Sequence, residues 1–204
     1  MRVSLLRHGM TQGGDIYRGR TDVALTAEGL CQMQQSCAGF ALPVDYLVSS
    51  TLQRCAAFSA LHPQPELLDE RLQEISFGDW DGQLRSEVWR TQADQVQAFW
   101  DDPMACAAPN GESVAQLQSR AMAALHEHLQ AALKQERKHL LVVTHGGVIR
   151  AILSSILQMQ ARALFHLDVP YGGLVCLQAA QFDNQQGQAD YHLSVDFAAR
   201  QDFI

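Results

Sequence analysis

Short apolar runs that stop abruptly at polar residues recur along this chain, and stretches of helical period separate them. Leu140 to Val143 reads as a buried parallel strand and ends in Thr144-His145-Gly146-Gly147. Val3 to Leu6 reads the same way and ends in Arg7-His8-Gly9, where Gly9 permits a tight turn and a close backbone approach to a ligand. Tyr46 to Val48 is a third strand, ending at Ser49-Ser50. Between them, Thr26 is placed to cap a helix carrying Leu30, Met33, Cys37 and Phe40 at helical spacing, with Pro43 closing it. A second helix is predicted over 51–61 with Arg54 in its first turn, and His62-Pro63-Gln64-Pro65 breaks the pattern. Asn110 to Ser113 opens the longest helix, marked by Val114, Leu117, Ala121, Leu125, Leu129 and Leu133, and another helix begins at Val148-Ile149. Leu174 to Leu177 and Tyr191 to Val195 supply the last strands, with a turn at Asp183-Asn184.

The segment 70–82 shows neither period. Residues 75–112 are expected to form a lid or insertion, with helices near Val88-Trp89 and Phe99-Trp100, inside a single domain spanning 1–204. Strands alternating with helices predict an α/β fold: three layers, α/β/α, around a mostly parallel central sheet. Ligands in such folds bind beyond the carboxyl ends of the strands. Three of those ends carry Arg7-His8, Ser50 with Arg54 one turn on, and Thr144-His145.

Composition narrows the partners. The 204 residues carry 15 Lys and Arg against 22 Asp and Glu, a formal charge of −7, which argues against nucleic acid or an anionic membrane. No apolar run approaches the ~20 residues of a membrane-spanning helix, and the first residues lack the pattern of a signal peptide. Five cysteines without C-x-x-C spacing read as reduced thiols, with a cytoplasmic location expected. An acidic protein that handles an anion must gather its arginines locally. Two imidazoles and two guanidiniums at one sheet edge suit a phosphate or other oxyanion, since arginine presents a planar fork to paired oxygens. A neutral imidazole at His8 can attack phosphorus, Arg7, Arg54 and His145 can hold the equatorial oxygens, and an acid must protonate the departing alkoxide. Neither His126 and His128, two apart on a helix, nor the scattered His62, His139, His166 and His192 has metal-ligand spacing, so no metal and no cofactor is expected.

Arg7-His8-Gly9, Ser49-Ser50-x-Leu52-x-Arg54, Glu74-x-x-Phe77-Gly78-x-Trp80-x-Gly82 and Thr144-His145-Gly146-Gly147, in that order, resemble the histidine phosphatase (phosphoglycerate mutase-like) superfamily. The resemblance implies a metal-independent phosphomonoester hydrolase with His8 as phosphate acceptor, Glu74 as proton donor and Arg7, Arg54 and His145 in the phosphate pocket. Glu70, Asp79, Asp81 and Glu112 are rivals of Glu74 for the acid. Within the superfamily, Tyr17-Arg18-Gly19-Arg20-Thr21-Asp22, Phe77 to Gly82 and Asn110-Gly111-Glu112-Ser113 look most like alpha-ribazole phosphatases. That likeness implies a small-molecule phosphomonoester, alpha-ribazole 5′-phosphate or adenosylcobalamin 5′-phosphate, in cobalamin biosynthesis. A cofactor-dependent phosphoglycerate mutase, a broad-specificity sugar-phosphate phosphatase and a catalytically silent phospho-ligand binder are the competing readings. The loop after Thr11 lacks the Asn common in the family. Backbone N–H groups near Gly14 are the expected substitute, and Arg18 or Arg20 is expected to extend the anion site. Trp80, Trp89, Phe99 and Trp100 are expected in the core of the lid.

Overall fold

The apolar runs become strands of one sheet in the computed structural model, which describes residues 1–183 and 189–197; Asn184 of the expected turn lies outside them. The strands are β1 (Arg2–Arg7), β2 (Tyr46–Ser49), β3 (Glu66–Leu68), β4 (His139–Thr144), β5 (Leu174–Asp183) and β6 (Ala189–Val195), in the order β3-β2-β4-β1-β5-β6. The pairs β3–β2, β2–β4 and β4–β1 are parallel, whereas β5 and β6 run antiparallel on the far side. The first strand is therefore central, and the direction of pairing changes beside it.

Period-two alternation in the central strands sends side chains to two separate cores. Val3, Leu5, Leu140 and Val142 join the cluster made with α4 (Val114–Lys134) and α5 (Gly146–Ile156). Leu6, Leu47, Leu141 and Val143 face the cluster made with Met33 of α1 (Ala27–Cys37) and with Cys55 and Phe58 of α2 (Gln53–Ser59). These are the three α/β/α layers.

Helix boundaries follow their caps. Thr26 Oγ1 accepts from Gly29 N at 2.9 Å, as the pattern predicts. Ser113 closes a full capping box with Gln116 at the start of α4. The first helix stops at Cys37 rather than running to Pro43, because Ala38-Gly39 turns the chain; Phe40 still packs on the same core. The two helices expected near Trp89 and Trp100 are one element, α3 (Arg85–Asp101), broken at Gln92 (φ −137°, ψ 35°). The Gln92 amide oxygen accepts from the indole N–H of buried Trp80 at 2.7 Å, which gives the break a purpose.

Gly9 has a packing role: a side chain there would run into the backbone of Gly29, so its absence lets the exit of β1 lie against α1.

Candidate active site

Register places the chemistry. Arg7 and Thr144 are paired at the ends of β1 and β4, so His8 and His145 leave the sheet side by side, with ring centroids 5.2 Å apart. The parallel neighbour β2 delivers Ser50, whose N–H donates to Val143 O, and α2 then brings Arg54 against the His145 ring. His8 is 4% exposed, and Arg54 and His145 are fully buried.

Hydrogen bonds settle which ring nitrogens carry protons. His8 Nδ1 lies 2.8 Å from Gly9 O, and a carbonyl can only accept, so the proton sits on Nδ1 and the Nε2 lone pair is free. Burial, with Arg54, Arg7 and Arg18 nearby, pushes the His8 imidazole down to about 3 despite that bond, so the ring is neutral near pH 7. His145 Nδ1 accepts from Arg54 Nε at 3.2 Å, which puts its proton on Nε2, within 2.8 Å of Ser50 Oγ. Its imidazole is held far below the ordinary value by burial and by Arg54. Arg54 also donates to Gly19 O (2.7 Å) and Thr21 O (2.9 Å), which stitches the loop 19–21 under the site.

Beside His8 lies a cavity of about 350 Å³ whose polar lining includes Arg7, Arg18, Glu74, Arg150 and Tyr171. Its apolar lining includes Phe77, Phe99, Trp100, Leu164 and Phe165, and the Trp100 and Phe165 rings are 4.5 Å apart. Arg85 also reaches the lining and is paired with Asp15 at 3.4 Å. Arg7, Arg18 and Arg150 have no such ion pair among the described residues, so Glu74 is the single carboxylate of the lining against four guanidiniums. This is the local concentration of positive charge that an acidic chain needs to hold an oxyanion. Arg7 Nη1 donates to Val169 O at 2.6 Å, while its Nε is buried without a protein partner.

The Glu74 carboxylate sits on the N-terminus of α5, where Gly147 N–H donates to Oε2 at 3.1 Å; the N–H of Ile75 donates to Oε1 at 3.0 Å. A side chain at position 147 would collide with that carboxylate, which accounts for the second glycine of Gly146-Gly147. The rival acids are engaged elsewhere. Glu112 pairs with Arg120, Asp81 accepts from Gly19 and Phe77 N–H groups, Asp79 accepts from Asn110, and Glu70 is exposed in a short 3-10 turn.

Arg7, His8, Arg18 and Glu74 thus share one cavity, with Arg54 and His145 packed behind His8 rather than in the lining. Gly14 does not join them: it is exposed at positive φ, and its carbonyl accepts from Arg18 Nη2 at 2.6 Å. Arg20 turns to Glu112 instead of the cavity. Trp80 and Phe99 are core, whereas Trp89 is exposed. Pattern reasoning missed Arg150 and Tyr171. Arg150 is one helical turn beyond Gly146, a spacing that could have flagged it; Tyr171, in a Pro-Tyr-Gly-Gly turn, had no local signal. Its ring lies 4.2 Å from the Arg7 guanidinium and 5.7 Å from the His8 ring, and Gly172 N–H fixes the turn to His8 O. Among the described residues there is no cluster of three His, Cys, Asp or Glu side chains suited to a metal ion.

The model of the histidine phosphatase superfamily (branch 1) matches residues 3–193. The chain belongs to that superfamily. The adenosylcobalamin/alpha-ribazole phosphatase of Escherichia coli K12 is 29% identical over 182 residues, covering 84% of this chain and 87% of the relative. The glucosyl-3-phosphoglycerate phosphatase of Mycolicibacterium vanbaalenii is 30% identical over 168 residues, covering 76% and 74%. The crystal structure of the alpha-ribazole phosphatase from Shigella flexneri superposes with a TM-score of 0.77 at 25% identity, over 96% of this chain and 95% of that one. This histidine phosphatase is accordingly an enzyme that acts on phosphate-bearing small molecules.

Proposed function

We propose that this histidine phosphatase hydrolyses alpha-ribazole 5′-phosphate or adenosylcobalamin 5′-phosphate through a phosphohistidine at His8. The observation that carries the reading is the buried, neutral His8, its Nε2 free, in a cavity whose lining also holds three guanidiniums that have no carboxylate partner. In the first step the Nε2 lone pair forms a bond to phosphorus while the ester P–O bond breaks, and the Glu74 carboxyl proton passes to the departing alkoxide. In the second step the Glu74 carboxylate takes a proton from water, the water oxygen bonds to phosphorus as the P–N bond breaks, and inorganic phosphate leaves. Arg7, Arg18 and Arg150 oppose the charge on the phosphoryl oxygens, and Arg54 keeps His145 oriented behind the nucleophile. The segment 75–112 acts as the cover on the leaving-group side. Its Phe77, Phe99 and Trp100 form, with Phe165, a wall on which a planar heterocycle can lie.

Initial rates of phosphate release in EDTA, across a panel of monoesters, test the assignment. The expected result is the highest kcat/KM on alpha-ribazole 5′-phosphate, unchanged by the chelator. Preference for glucosyl-3-phosphoglycerate, or isomerisation of 3-phosphoglycerate in place of phosphate release, would move the enzyme to another branch of substrates. Absence of turnover on every ester would make it a binder.

A further inference from the structure

The segment that presents Glu74 is irregular, yet its carbonyls are not left to water. Arg71 O and Gln73 O accept from Arg120 Nη1 at 2.7 and 2.6 Å, and Glu74 O accepts from Arg120 Nη2 at 3.0 Å. The one between them, Leu72 O, accepts from Thr144 Oγ1 at 2.8 Å, the side chain just before His145. Four consecutive carbonyls are thus bound by side chains from two other elements, where a helix or strand would have used its own backbone.

Arg120 is itself fixed. Its Nε and Nη2 donate to the two Glu112 carboxylate oxygens at 2.8 and 2.6 Å, and Glu112 in turn accepts from Ser76 N–H at 2.8 Å. Both side chains are largely buried, at 17% and 12% exposure. A bidentate pair in this setting has a defined geometry and little freedom. The guanidinium therefore converts the position of α4 into the position of residues 71–76.

We infer that Arg120, locked by Glu112, is a positioning residue that sets the Glu74 carboxylate on the N-terminus of α5. The inference rests on the proposed role of Glu74 as the acid. Arg120 does not reach the cavity lining; it acts through the backbone that carries Glu74. Lysine, with one nitrogen, cannot hold Glu112 and three carbonyls together.

The test is the leaving-group dependence of kcat/KM, which reports the step up to release of the alcohol and excludes the later hydrolysis of the phosphoenzyme. A primary alkyl ester such as ribose 5-phosphate needs its alkoxide protonated; p-nitrophenyl phosphate leaves as a stabilised phenolate and does not. Glu74→Gln should lower kcat/KM on the alkyl ester by about 10²- to 10⁴-fold, the usual worth of general acid catalysis, and far less on the aryl ester. Arg120→Lys should reproduce that selectivity at up to about 10²-fold, the scale of a misplaced catalytic group, with Glu112→Gln in the same direction as a milder second variant. If Glu74→Gln is selective while Arg120→Lys and Glu112→Gln lower both esters equally, or neither, the positioning role is overturned and the acid stands. If Glu74→Gln itself shows no selectivity, the acid assignment falls, and this inference with it.

Discussion

Lowering the pH should destabilise the fold through His8 by a calculable amount. In the unfolded chain this imidazole has its ordinary value of 6.5, whereas burial beside Arg54 and Arg7 brings it to about 3 in the folded protein. Between those values the unfolded chain binds the extra proton, so stability falls as pH falls below 6.5 and the loss stops growing below about 3. Each pH unit inside the window is worth about 1.4 kcal/mol, so going from pH 7 to pH 5 removes ~2 kcal/mol through this one side chain. His145 is shifted in the same direction, so the wild type as a whole loses more than that. Urea unfolding of the wild type and of His8→Asn at the two pH values isolates the His8 share, because asparagine does not titrate. The expected difference of differences is ~2 kcal/mol, with the variant the less acid-sensitive protein. Equal losses in both proteins, with a His8 ring signal titrating near its ordinary value by NMR, would refute the assignment of a neutral, desolvated nucleophile.

Other consequences can be checked with single substitutions. Gly147→Ala puts a methyl group into the Glu74 carboxylate and should cost about 10²-fold in kcat/KM on alkyl esters, measured by phosphate release, while the thermal midpoint moves little. Trp100→Ala opens the aromatic wall and should raise KM for alpha-ribazole 5′-phosphate about fivefold, from the ~1 kcal/mol of an aromatic contact, without affecting ribose 5-phosphate. Ser113→Ala removes the capping box of α4 and should cost about 1 kcal/mol in urea unfolding with the wild-type rate retained.

How much of this was legible beforehand depends on whether a residue's role follows from its neighbours in the chain. The three strand ends were readable because a buried strand that stops in Arg-His or Thr-His must put those groups at the sheet edge. The parallel register of β1 and β4 then leaves the two imidazoles few places to go. Glu74 was recognisable from a motif, but its separation from Glu112 and Asp81 was not. All three acids lie in aperiodic segments, and the choice is made by Arg120 and by the Gly19 and Phe77 N–H groups, contacts at long range. The strand β3 escaped notice because it is a three-residue edge with Leu67 and Leu68 exposed, so burial leaves no alternating trace. The 3-10 segment Ala161–His166, which brings Leu164 and Phe165 to the cavity, carries no local period either. Arg54 was legible as a site residue, but nothing in a first helical turn reveals that three of its five N–H groups go to Gly19 O, Thr21 O and His145.

The central claim is that phosphate passes through His8. Rapid quenching of the enzyme during turnover of a phosphate-labelled ester, followed by peptide mapping, measures it directly. Acid-labile, alkali-stable label is expected on the peptide containing His8 and none in His8→Asn. Label on a different residue, or sustained turnover by His8→Asn with label still bound, would contradict it.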